Sequence, residues 1–477
     1  MTGHTWYLLA VLVVAIAVLI ALINSKVRMH PFVALIVVAV ATGIAAGEAP
    51  ADIAESIEDG AGGILGDVGL TLALGTMLGR LMADSGATER IAGAIVDRST
   101  SRTLPLMMAL AAFVIGIPMF FEVGLIVLLP LVFSVAERVR RERPEAPSPY
   151  VMLVIPTVAA LATLHGMVPP HPGPLVSVDG LHADLGKTII IGFICAIPTI
   201  LLAGPVFARF MESRVSVEPD AALVEQFTHR ADAPHGAIAG AGVPAASSGR
   251  PGTATRGVPV ALALCAIAVP VVLMLFRTVV EVIADEGSGI YKVAELVGAP
   301  TIAMLIGFLF ALYFLAFAQG REGEDIRRSV SESLKPIVGI LLIIGGGGAF
   351  NGVLKASGIG DAVADAGSSL HVNTIVLAWL LALLLSASTG SATVGIVSST
   401  GIVAPLVATD GSWYVSLVVV AIGAGSVGLN YVNHAGFWLV KESFGMTMGQ
   451  AVKIHTSVQT LVSVIGFAMV LFLSIFF

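Results

Sequence analysis

Two stretches decide how this chain folds: LPLMMALAAFVIGIPMFFEVGLIVLLPLVFSVA (residues 104–136) and TIVLAWLLALLLSASTGSATVGIVSSTGIVAPLV (residues 374–407). Each is apolar enough to sit in a bilayer and too long for one crossing, which takes about 20 residues. Each is interrupted near its middle, by IPMFFEVG (117–124) in the first and SASTGSAT (386–393) in the second. Either each stretch is two full spans, or each is a re-entrant helical hairpin with its tip at mid-depth. Both readings return the chain to the side it left.

The rest of the sequence is of the same kind. Of 477 residues, 56% are hydrophobic and 12% charged, with mean hydropathy +0.95. Soluble chains carry about 25% charged residues, so there is too little polar surface here to cover a globule in water. Further apolar segments lie near 6–23, 31–46, 64–83, 150–164, 188–210, 258–276, 300–317, 336–354, 413–429 and 455–477. These runs are continuous rather than alternating, which argues against a lipid-exposed β-barrel. The reading is an all-α polytopic membrane protein of about 12–14 hydrophobic segments: about ten spanning or broken helices plus two helical hairpins. The first run lacks a basic flank and is long enough to remain a span rather than a cleaved signal. A net charge of −7 with scattered cations gives no nucleic-acid footprint. Cys195 and Cys265 both lie in apolar runs, and no His/Cys/Asp grouping has metal-ligand spacing, so neither a disulfide framework nor a metal site is expected.

Basic residues orient the chain. With Lys26, Arg28, the arginines of 90–102 and 138–143, and those of 321–328 on one side, only Lys187, Arg277, Lys292 and Lys355 of the 25 Lys+Arg fall on the other. Positive charge collects inside, which puts both termini outside. Residues 212–257, rich in Pro, Ala, Gly and Ser, read as a disordered cytoplasmic linker. They separate an N-terminal transmembrane repeat (1–211) from a C-terminal one (258–477). Ser85-Gly86 aligns with Ser357-Gly358, Pro130-Leu131-Val132 with Pro405-Leu406-Val407, and His171-Pro172-Gly173 with His434-Ala435-Gly436. Each half has an odd number of crossings, so the two repeats are expected to be inverted, a transporter architecture with its site where they meet.

Four breaks in apolar helix, two per half, are the candidate site. Non-helical backbone at membrane depth survives only where protein or a water-filled cavity satisfies it. At the first tip, Glu122 places a carboxylate in an apolar run, which is functional by default; the plain alternative is a glutamate that snorkels to the interface. HGMVPPHPGP (165–174) cannot be helical with four prolines in ten residues. It offers His165, Gly166 and His171, with a rigid extracellular loop as the alternative. The second tip presents Ser388, Thr389, Gly390, Ser391 and Thr393, small polar residues whose hydroxyls and free amides suit an anion, although close helix packing also uses small residues. NYVNHAGFW (430–438) supplies Asn430, Asn433 and His434, or is simply a polar helix end. The glycine run 345–348 lacks a phosphate-loop lysine and reads as a close helix crossing.

MFFEVGLIVLLPLVF (119–133), HGMVPPHPGP, GSATVGIVSSTGIVAPL (390–406) and GSVGLNYVNHAGFWLVKESFGMT (425–447) together resemble the gluconate permease (GntP) family, over nearly the whole chain except the linker. The resemblance implies a bacterial cytoplasmic-membrane importer, coupled to protons, of gluconate or a related small hydroxy or sugar acid, with D-serine carried by some relatives. It also implies two re-entrant hairpins and two broken helices around the substrate, as in the ion transporter superfamily. The chain departs from the family pattern at Ser386, where a basic residue usually stands. It departs again over 430–434, where Asn-Tyr-Val-Asn-His replaces the usual Ser-His-Val-Asn-Asp.

These readings combine into one expectation. A small organic anion binds through Ser391, Thr393 and helix N-termini, with His165, His171, Asn430, Asn433 and His434 reading its hydroxyls. Glu122 carries the coupling proton, with His171 and His434 next in line. No cofactor is expected; sodium coupling and a homodimer stay open, and the expected partners are the substrate and the lipid bilayer. A channel would need a continuous polar pore, and an enzyme a catalytic cluster, neither of which the sequence displays. A primary pump would need a phosphate-binding loop.

Overall fold

The computed structural model describes residues 2–24, 26, 28–97, 99–100, 102–142, 149–219, 258–285, 288–370, 373–431 and 434–477. Most of the expected linker, residues 220–257, therefore lies outside the described residues, as does Asn433. Every regular element among those described is helical. Seven helices are long and apolar enough to cross a membrane: Gly3–Ile23, Pro149–Gly180, Leu185–Glu212, Val260–Glu281, Pro300–Gln319, Val338–Ala356 and Met448–Leu473. Five shorter apolar helices accompany them, at Pro31–Ala46, Leu104–Gly116, Thr374–Thr389, Ala392–Val407 and Ser412–Ser426.

Both long stretches fold as hairpins. The first has arms Leu104–Gly116 and Phe121–Glu142, the second Thr374–Thr389 and Ala392–Val407. The second hairpin's arms have 16 residues each, about 24 Å at 1.5 Å per residue, short of the roughly 30 Å hydrocarbon core. Local chemistry sets the ends. Gly390 adopts φ +70, a left-handed conformation that a side chain would strain, and closes the first arm. Ser391 then accepts the Val394 amide and opens the second. Asp184, Asn373 and Thr447 start other helices in the same way. Proline occupies the first turn at Pro31, Pro50, Pro172 and Pro300, where its missing N–H costs nothing.

Both sides of 220–257 end in the same order, a short helix, a hairpin, a broken helix and a final long helix. Ahead of these the second half carries an additional helix, Gly289–Val297, and the pair Gly323–Ser333 and Val338–Ala356 where the first half has one helix from Pro50 to Asp84. Each hairpin packs on the first half of the broken helix that follows it, Leu104–Gly116 on Pro149–Met167 and Thr374–Thr389 on Ser412–Ser426. Pro149–Met167 is buried almost all round and forms the centre of the molecule. Glycine makes the closest approaches. A Cβ at Gly348 would stand 2.3 Å from the Gly60 carbonyl oxygen, so the glycine run serves the close crossing expected of it. On the strongly basic side, Asp84 pairs with Arg80 at 2.9 Å and with Arg321 at 3.2 Å, and accepts a bond from Ser329. That cluster ties the first half to the second.

Candidate functional site

The two broken helices cross at Gly166 and Gly423, where backbone meets backbone: a Cβ at Gly423 would lie 1.7 Å from the Gly166 carbonyl oxygen. Both helices break shortly after this crossing. Pro149–Met167 gives way to residues 168–171, and the chain resumes as Pro172–Gly180. Ser412–Ser426 gives way to residues 427–434 and resumes as Ala435–Ser443. Gly166 is thus a packing residue at the crossing, and the polar groups lie just beyond it.

In the first break, His171 Nε2 sits 3.0 Å from the Gly116 carbonyl oxygen. A carbonyl only accepts, so His171 donates from Nε2 and ties this break to the tip of the first hairpin. His165 stands edge-on to it, 6.0 Å between ring centroids, and its Nδ1 is buried without a partner among the described residues. In the second break, the Asn430 carbonyl oxygen accepts from Thr456 Oγ1 at 2.8 Å. The side chain of Asn430 is buried and its Oδ1 has no partner among the described residues. His434 opens the helix Ala435–Ser443 by accepting the Gly436 amide on Nδ1 at 3.1 Å, which leaves Nε2 to carry the proton of the neutral ring.

Glu122 lies between the two breaks, in the first turn of Phe121–Glu142. It acts electrostatically on both His165 and His434, and a Cβ at Gly436 would touch the Phe121 ring beside it at 3.0 Å. Among the described residues no lysine or arginine pairs with Glu122. A cavity of about 20 Å³, room for one water, adjoins the same tip and is lined by Thr71, Thr76, Pro118, Phe120 and His171.

At the second tip the hydroxyls are largely spoken for. Ser388 and Thr389 donate to the Leu385 carbonyl oxygen at 3.0 and 2.7 Å, and Ser391 caps its helix. The amides of Ala392 and Thr393, in the first turn, point the positive end of that helix outward from the tip. Ser386 donates to the carbonyl oxygen of Ser426 at the end of the second broken helix's first half, a post no sequence signal announced. The arm Ala392–Val407 also reaches the helix that follows the first break, where Ser177 and Thr400 hydroxyls bond at 2.8 Å.

Four helices therefore begin around the breaks, at Phe121, Pro172, Ala392 and Ala435, with one carboxylate and three histidines among them. The solved structure of the Alcanivorax borkumensis YdaH transporter has the same overall fold, with TM-score 0.57 at 14% identity, covering 99% of this chain and 98% of that one. The model of the family described as GntP family permease matches residues 7–476. The chain belongs to the GntP permease family. Membership makes it a membrane transporter and not an enzyme. Among GntP relatives, the gluconate permease of Pseudomonas aeruginosa is 39% identical over 99% of each chain. The D-serine transporter DsdX of Escherichia coli K12 is 34% identical, over 94% of this chain and 95% of its own.

Sequence reasoning missed His455 and Gln459. Both are buried, at 0% and 2% exposure, and His455 lies 6.2 Å from His434 and 5.9 Å from Phe121 between ring centroids. Neither follows a proline or glycine, so nothing in the local sequence marks them as more than the start of an apolar helix.

Proposed function

We propose that this GntP permease takes up gluconate, or a related small hydroxy acid, together with protons across the bacterial cytoplasmic membrane. The observation that carries the reading is the meeting of Glu122, His165 and His434 beside helix starts, with no fixed cation among them. Helix N-termini and neutral donors hold an anion without a permanent positive charge that would have to be neutralised when the carrier returns empty. The amides at Ala392 and Thr393 take the carboxylate; His165, Asn430 and His434 read hydroxyls. Asn433 was expected to join them but lies outside the described residues.

Proton coupling follows from electrostatics. Bringing an anion inward opposes the membrane potential by about 2.3 kcal/mol per charge per 100 mV. One proton cancels that charge, and a second makes the potential favourable. Glu122 is the group in this reading that takes up the proton, and the two halves are inverted repeats that rock about the crossing at Gly166 and Gly423. The basic rim of 80–102, 138–142 and 321–328 faces the cytoplasm and both termini face outward.

D-serine is the second reading. DsdX is a relative, and the lone carboxylate of Glu122 would pair with an ammonium group. Uptake into proteoliposomes decides: gluconate, glycerate, D-serine and citrate compete against labelled gluconate, under an imposed pH gradient, with sodium replaced by choline. The account expects gluconate to accumulate without sodium and to leak back when the gradient is collapsed. Accumulation of D-serine alone, or uptake that stops in choline, overturns it.

A further inference from the structure

His455 is fully buried in the last long helix, on the widened π-type turn Val452–Thr456. Among the described residues neither ring nitrogen has a hydrogen-bond partner. The ring is held by Phe121 and Phe437, at 5.9 and 6.0 Å between centroids, and faces His434 at 6.2 Å. One turn further on, Gln459 Oε1 is also buried, and so is Asn430 Oδ1, neither with a partner among the described residues. A buried polar atom with nothing to bond to costs about 1–3 kcal/mol, and a leucine would fill the space at no such cost. Polar groups gathered at that expense mark a wet path.

The next residue, Thr456, donates to the Asn430 carbonyl oxygen on one side. On the other it lines a wide-open, mostly apolar surface cavity of about 720 Å³ between the last helix and Phe207–Glu212, with Arg214 and Lys453 in its lining. Those cations belong to the basic side of the protein. His455 thus stands in a wall one turn thick between the site and that cavity.

We propose that His455 is the relay through which the coupling proton leaves the site for the basic, cytoplasmic side. The coupling proton held by Glu122 passes through water to one ring nitrogen of His455, which releases the proton of its other ring nitrogen to water at the cavity, while His434 keeps its Nδ1 on the Gly436 amide and stays neutral. Glu122 is left as the carboxylate and His455 neutral, one proton having entered and one left. The charged and titratable groups around His455 are His434 and, beyond it, Glu122 and His165. Lys453 lies on its own turn and Arg214 across the cavity. Lys441 on the neighbouring short helix pairs with Glu442 at 2.7 Å, and Tyr150 sits at the far end of the central helix.

The inference rests on the proton-coupled reading, and the test separates the two. Wild-type permease and His455→Gln are reconstituted, and labelled gluconate is followed both in counterflow exchange and in accumulation driven by a pH gradient. Exchange needs no net proton movement and is expected to stay within about twofold, while gradient-driven accumulation falls roughly a hundredfold, the scale of a lost acid–base group. A variant that accumulates like wild type overturns the relay. So does loss of both modes, which would make His455 structural. If the wild type itself ignores the gradient, the coupling reading falls and takes the relay with it.

Discussion

Gly423 and Gly166 set the tightest constraint at the scale of single residues. A methyl group at Gly423 would have to occupy space 1.7 Å from the Gly166 carbonyl oxygen, and backbone cannot swing aside as a side chain can. Gly423→Val is therefore expected to lower stability by more than the 1–3 kcal/mol typical of overpacking, read as a fall in melting temperature in detergent or as loss from the membrane fraction. Gly62→Ala, where a Cβ meets nothing within 4 Å, should be neutral or slightly stabilising; equal damage from both would refute the crossing. The same scale shows what sequence can and cannot reveal. Glu122, His165, His171 and His434 stand out because each is polar beside proline or glycine in an apolar run. His455 does not, because its partners His434, Phe121 and Phe437 come from other elements and no local breaker announces them.

At the scale of elements, hydropathy locates the helices and fails at their internal structure. The two long stretches were legible as hairpins or paired spans, and the arm lengths of the second favour a tip within the membrane. The widened turns at 65–69, 202–206, 312–316 and 452–456 leave no mark on composition, since one extra residue rotates the helix face by about 100° without changing which residue types are used. Residues 64–83, expected as a single segment, are part of a longer helix that runs from Pro50 to Asp84 through one such turn. The second tip yields a prediction of its own. Gly390→Val must hold a β-branched residue at positive φ, costing about 1–2 kcal/mol, and Ser391→Leu removes the cap on the helix start proposed to hold the carboxylate. Both variants should reach the membrane and lose uptake. Normal apparent affinity in Ser391→Leu would return the tip to a packing role.

At the scale of the whole molecule, a few paired motifs in the sequence suggest a repeat, while the way the two halves of the chain interlock leaves no mark in it. The second half's hairpin arm meets the helix after the first break through Ser177 and Thr400, and the first half's hairpin meets the helix after the second break at Phe121 and Gly436. Movement of one half therefore disturbs the breaks of both. Orientation is testable directly: in a background without Cys195 and Cys265, single cysteines at Ala51 and Asp285 should react with an impermeant maleimide in sealed cells, and one at Ser331 only after permeabilisation. Labelling of Ser331 in sealed cells would reverse the proposed sidedness.

The central claim is that a carboxylate at the meeting of the two halves couples transport to protons, and Glu122→Gln tests it most directly. Glutamine keeps the shape and removes the titratable group. The account predicts that the variant still exchanges labelled for unlabelled gluconate across a proteoliposome but no longer concentrates it when a pH gradient is imposed. Accumulation against a gradient by Glu122→Gln, at the wild-type level, would contradict it.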